Sequence, residues 1–151
     1  MIGCVKRIAL ASLLAVVLLP ACGGEVDPAR TAPGAAQVRL FENLYNGRFD
    51  RAYDALHPAH QKIVPRKLFI DCARRTIAVH KLDSIEVLEV FDETVDLPGL
   101  GKQRAKGVRL RLTSTDGVIA TLVNHEVKVG DGWRWVLSAK AVRSYRAGGC
   151  P

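Results

Sequence analysis

The stretch VRLRLTSTDGVIATLVNHEVKVGDGWRWVL, residues 108–137, decides the fold. Val108, Leu110 and Leu112 alternate with Arg109, Arg111 and Thr113, which is the pattern of a strand with one buried and one wet face. Asp116-Gly117 then supplies a tight hairpin turn, and Val118 to Val129 reads as the return strand. A second turn at Gly130-Asp131-Gly132 delivers Trp133 to Leu137 as another strand. Upstream, Ile85, Val87, Leu88, Val90 and Phe91 predict a strand from Asp83 to Val95, with a bulge where Val87 and Leu88 adjoin. Leu97 to Gly101 is the connecting turn, so four antiparallel strands follow one another in the chain.

Before the strands the period changes. Val38, Phe41, Leu44 and Tyr45 recur at three- and four-residue steps, giving a helix from Ala35 that Asn46-Gly47 ends. Asp50 is placed to cap a short second helix whose apolar side is Tyr53 and Leu56, and Pro58 to Ile63 can add one turn. Val64-Pro65 opens a third helix, Arg66 to about Val79, striped by Leu68, Phe69, Cys72, Ala73 and Ile77. The fold class expected is α+β, with N-terminal helices packed on an antiparallel sheet of about four strands. The domain spans residues 35–147, and 148–151 form a tail.

The segment NGRFDRAYDALHP at 46–58, the helix carrying Phe69 and Cys72, and the closing GDGWRWVL at 130–137 together resemble the nuclear transport factor 2-like superfamily. That group includes ketosteroid isomerases and polyketide cyclases, and the likeness is strongest to small exported bacterial lipoproteins whose domains have no known function. The resemblance covers Ala35 to Leu137. It implies a curved sheet wrapped around helices as a cone with an apolar pocket at its open end. Tyr45, Tyr53 and Asp71 could in principle act as acid, base and oxyanion donor, but none matches the family's catalytic motif and no role is transferred.

The N-terminus has the layout of an export signal: Lys6 and Arg7, an apolar run from Ile8 to Leu19, then small residues. As a helix that run reaches roughly 18 Å, short of the ~30 Å hydrocarbon core, so a retained membrane span is not expected. Leu19-Pro20-Ala21-Cys22 resembles a lipobox, in which the leader 1–21 is removed and Cys22 carries the lipid. Gly23 in place of an aspartate directs such an anchor to the outer membrane of a diderm cell. Residues 22–34, rich in Gly, Pro and Ala, read as a flexible tether. Cys4 leaves with the leader and Cys22 is acylated, so Cys72 and Cys150 remain as the pair expected to bridge in an oxidising compartment.

With 22 basic and 15 acidic residues the chain is basic, formally +7. The charges are scattered and not interleaved with aromatics, so phospholipid headgroups or wall polymers fit better than nucleic acid, which is not expected as a partner. His125 falls in register with Ile119, Val123 and Val127, which would aim it into the cone cavity, without a paired carboxylate in its own strand, since Glu126 points the other way. Tyr53, Trp133 and Trp135 complete the candidate pocket, the two tryptophans sharing one side of their strand. His57 and His60 stand three apart but lack further ligands, and read as a solvated connection between helices; no metal and no cofactor is expected. Gly99, Gly101 and Lys102 lack the strand-loop-helix context of a phosphate loop.

The leading expectation is a membrane-anchored extracytoplasmic lipoprotein acting as a non-enzymatic module that binds a small apolar ligand or an envelope protein. Two alternatives stay open: an isomerase-, cyclase- or dehydratase-like enzyme using a polar residue in the cavity, and a structural domain, with a homodimer as one form.

Overall fold

The computed structural model describes residues 26–79 and 81–151; the leader, Cys22 and the first tether residues lie outside them. The domain begins earlier than the sequence pattern places it. Asp27 caps a 3₁₀ turn at Pro28–Arg30, and helix α1 runs Ala32–Tyr45 rather than from Ala35. The physical reason is local: the Thr31 hydroxyl accepts from the Gly34 N–H, and Pro33 sits in the first turn, where its missing N–H costs nothing. Gly34 is buried against the turn, and a Cβ there would lie 2.1 Å from the Pro28 carbonyl oxygen. The tether reading therefore fails for residues 28–34, which are folded.

Helix α2 is Phe49–Asp54, α3 is Pro58–Gln61 and α4 is Arg66–Ile77. Asp50 does not cap α2; it lies in the first turn and pairs with Arg66 at 3.0 Å. Strands β1 (Leu82–Leu97), β2 (Gly101–Ser114), β3 (Ile119–Val129) and β4 (Gly132–Trp135) form one antiparallel sheet in chain order. The expected bulge is present, a register shift between Val87 and Glu89. After β4, still within the expected domain, comes a helix that the sequence reading did not place, α5 at Ala139–Arg146. Ser138 caps it, and Ala141, Val142 and Tyr145 are buried at helical spacing. The architecture is α+β, as expected.

Packing divides α1 along its length. Leu40 and Leu44 join Tyr53, Leu56, Phe69, Trp135 and α5 in a helical core, while Val38 and Phe41 pack on Val87, Val108 and Leu110 of the sheet. A smaller cluster, Leu97, Ala105, Val127 and Val136, closes the far end of the β1–β2 hairpin. Cys72 and Cys150 form a disulfide across 78 positions, tying the end of the chain to α4. Cross-linking over such a loop restricts the unfolded chain by ~4 kcal/mol in the loop-entropy model. The Cys150→Ser variant is expected to lose stability of that order in urea titrations, and reductant should shift the wild-type midpoint while leaving the variant's unchanged.

Candidate functional site

His125 does not face the helices. Cross-strand register pairs it with Gly107, which in turn pairs with Phe91, whereas its neighbours Asn124 and Glu126 contact α1 through Gln37. The alternation of β3 misleads because both parities carry apolar residues, and the parity that includes His125 also holds Ile119, 63% exposed, and Val123, 40% exposed. Burial is decided by the neighbouring strand: Val108 and Leu110 face the helices, and their register partners Asn124 and Leu122 follow.

On its own face His125 gains the carboxylate that sequence reading did not supply. Its Nε2 lies 3.2 Å from Oε1 of Glu93, a residue two strands away on β1, although the alignment is poor for a hydrogen bond. The contact is possible because Gly107 has no side chain: a Cβ there would stand 2.5 Å from Glu93 Oε1 and 2.4 Å from Phe91 Cζ. A pocket of about 350 Å³ adjoins, lined by Val95, Leu97, Val123, His125 and Ser138 among others. The carboxylate and the imidazole are thus neighbours at the pocket's edge without a formed hydrogen bond between them.

Glu126 is fully buried on the helix-packed face. Gln37 Nε2 donates to its Oε1 at 2.7 Å, and Asn124 Nδ2 donates to Gln37 Oε1 at 2.9 Å. Oε2 has no partner among the described residues. Burial pushes the carboxyl up to about 7, against the Gln37 hydrogen bond and the charges of Arg39 and Arg134. At neutral pH the group is thus poised between a neutral donor and a buried anion.

The remaining candidates are built into the core. The Tyr53 hydroxyl bridges the Val64 and Gln61 carbonyls at 2.8 and 3.0 Å, its ring lies 5.6 Å from that of Phe69, and burial raises its pKa. Trp135 donates from Nε1 to the Ala52 carbonyl at 2.9 Å. Trp133 is half-buried on the same side, in a shallow cleft with Lys106 and Lys128. His60 is not solvated, contrary to the sequence reading: it is fully buried, with Nδ1 accepting from the Leu137 N–H and Nε2 bonded to the Pro98 carbonyl, both at 2.9 Å. His57 caps α3, its Nδ1 accepting from the Ala59 N–H at 3.1 Å. His125, Tyr53, Trp133 and Trp135 therefore do not converge on one cavity.

A larger concavity lies elsewhere. An open groove of about 700 Å³ runs between the C-terminal halves of α1 and α4 and the start of β1, with Val38, Tyr45, Ile77, Leu82 and Ile85 in its walls and Glu42, Lys81 and Asp83 among its polar groups. Tyr45 and Leu82 also border a smaller slot of about 180 Å³, completed by Leu112, Ser114, Val118 and Ala120. Burial raises the Tyr45 pKa. Sequence reading saw Leu112 as a buried strand position and Tyr45 as a helix-stripe residue and an acid-base candidate without a transferred role, and nothing joined them to Glu42, Leu82 and Asp83, because the groove is assembled from segments far apart in the chain.

Among the described residues no group of three or more His, Cys, Asp or Glu side chains is placed to hold a metal, and no helix is long and apolar enough to cross a membrane. In comparisons with known proteins the sequence matches no family model and no curated protein.

Glu126 sets a pH dependence whose sign follows from its raised folded-state pKa. Between its ordinary 4.5 and about 7 the folded chain holds a proton that the unfolded chain releases, so stability is full below that window and declines as pH rises through it. Glu126→Gln keeps an acceptor for Gln37 and removes the titration. Urea titrations should show the wild type losing about 3 kcal/mol across the window relative to the variant, a difference that cancels the opposite contribution of His57 and His60, whose lowered values are common to both.

Proposed function

We propose that this chain is an extracytoplasmic lipoprotein, anchored through Cys22, whose domain binds a component of the cell envelope without transforming it. The observation that carries the binding reading is the open groove joined to an apolar slot at Tyr45 and Leu82. The slot is mainly apolar and the groove beside it mixes apolar and polar side chains in about equal measure, so together they offer the apolar wall and convergent polar groups of a ligand site. Tyr53, an acid-base candidate, has its hydroxyl engaged by two backbone carbonyls in the core. The Cys72–Cys150 disulfide supports the compartment, since such bonds persist outside the reducing cytosol. The sequence likeness to the nuclear transport factor 2-like superfamily, whose cones often hold an apolar pocket, is in keeping with the same reading.

The anchor is tested in the host membrane. Intact mass of the extracted protein is expected to show loss of residues 1–21 and a diacylglyceryl group on Cys22, and Cys22→Ser should move the protein to the soluble fraction. A free thiol at Cys22 in mature, membrane-bound protein overturns the anchor.

A second reading, a small-molecule enzyme, is favoured by one observation, the His125–Glu93 pair beside its pocket. On that reading, purified protein turns over a member of a panel of small ketones, enols and esters, and His125→Ala abolishes the turnover. Absence of any His125-dependent turnover leaves the binding module.

A further inference from the structure

We infer that the groove between α1, α4 and β1 takes a single-chain amphiphile with a zwitterionic phosphate-ammonium head, the chemical class of a lysophospholipid. The inference rests on the groove being the binding site proposed above and adds what it binds.

The smaller slot accounts for the tail. Leu82, Leu112, Val118 and Ala120 line it with the Tyr45 ring, and Ser114 is the single hydroxyl residue among its walls besides Tyr45. Ala120 is exposed although it pairs with buried Leu112 on the side of the sheet that packs on helices, so at this end the helices leave that side uncovered. An alkyl chain laid there covers apolar surface that now meets water, at roughly 0.8 kcal/mol per buried methylene. A slot of about 180 Å³ suits one chain rather than two.

The larger groove accounts for the head. Glu42 and Asp83 place two carboxylates in its lining and Lys81 one ammonium. None of the three forms an ion pair among the described residues, whereas Asp50, Asp54, Asp71, Glu86, Glu89 and Asp92 each hold an arginine or lysine. On a basic chain this lining has one more acid than base, which disfavours a purely anionic head. An ammonium group meets Glu42, Asp83 and the face of Tyr45, and the phosphate beside it meets Lys81. A fatty acid offers only the charge that the two carboxylates repel.

The test uses the full chain carrying Cys22→Ser, purified without detergent, and calorimetric titration below micellar concentrations. Decylphosphocholine is expected to bind saturably at one site, with decanoate and decyltrimethylammonium each roughly tenfold weaker, the loss of about one charge contact. Ala120→Trp fills the slot from an exposed position and should weaken decylphosphocholine at least roughly tenfold with the thermal midpoint retained. Glu42→Lys combined with Asp83→Lys should make decanoate the preferred ligand, and this surface change keeps the proposal testable if the tryptophan variant misfolds. Equal or tighter binding of decanoate by the unsubstituted groove, undiminished binding by a folded Ala120→Trp protein, or no saturable binding overturns the inference. Saturable binding with another preference among the three probes overturns the head-group assignment and leaves the groove as the binding site, whereas no saturable binding of any probe overturns both.

Discussion

The buried imidazole of His60 is the constraint on which the domain's closure depends. Its Nδ1 accepts from the Leu137 N–H and its Nε2 reaches the Pro98 carbonyl, so one side chain on α3 satisfies backbone groups from the β1–β2 turn and the segment between β4 and α5. The two bonds define a neutral ring with the proton on Nε2, and burial holds its pKa below the ordinary 6.5. Without it, the buried Leu137 N–H would be stranded, at a cost of roughly 1–3 kcal/mol. Around this point the parallel bridge of Leu56 with Trp135 and the bond from the His57 N–H to the Trp135 carbonyl at 2.9 Å fasten the helices to the short fourth strand.

The sheet is polar in its interior on both sides, and each side uses a different device. Toward the helices, Gln37 spans from Asn124 to Glu126 and satisfies three side chains with two hydrogen bonds, leaving one carboxyl oxygen unmet. Toward the other face, a glycine in the middle strand lets Glu93 and His125 approach over the backbone. Neither arrangement lines the groove at Tyr45 and Leu82, whereas His125 borders a separate pocket of about 350 Å³.

Some of this was legible from short-range pattern. The two glycine turns that space the last three strands appear in the structure, as does the bulge at Val87 and the helix ending at Asn46-Gly47. The start of α1 was legible too, in Thr31 followed by Pro33, but the surrounding Gly, Pro and Ala composition hid it. Helix α5 had Ser138 as its cap and was obscured by its brevity. His60 gave no such clue, since a histidine beside a proline in a polar stretch looks solvated until Leu137 and Pro98 are folded onto it.

The sequence by itself determined the order of the first helices and the four-strand meander, because turns, caps and periodicities act over a few residues, and it left Cys72 and Cys150 as the expected pair. Only the tertiary structure decided which parity of β3 faces the helices, that Glu93 is the carboxylate beside His125, and that Tyr45, Leu82 and Leu112 share a groove. Those outcomes depend on register and on side chains that meet across tens of residues, where the deciding quantity is which surface another element covers. A single strand with apolar residues on both parities contains no such information.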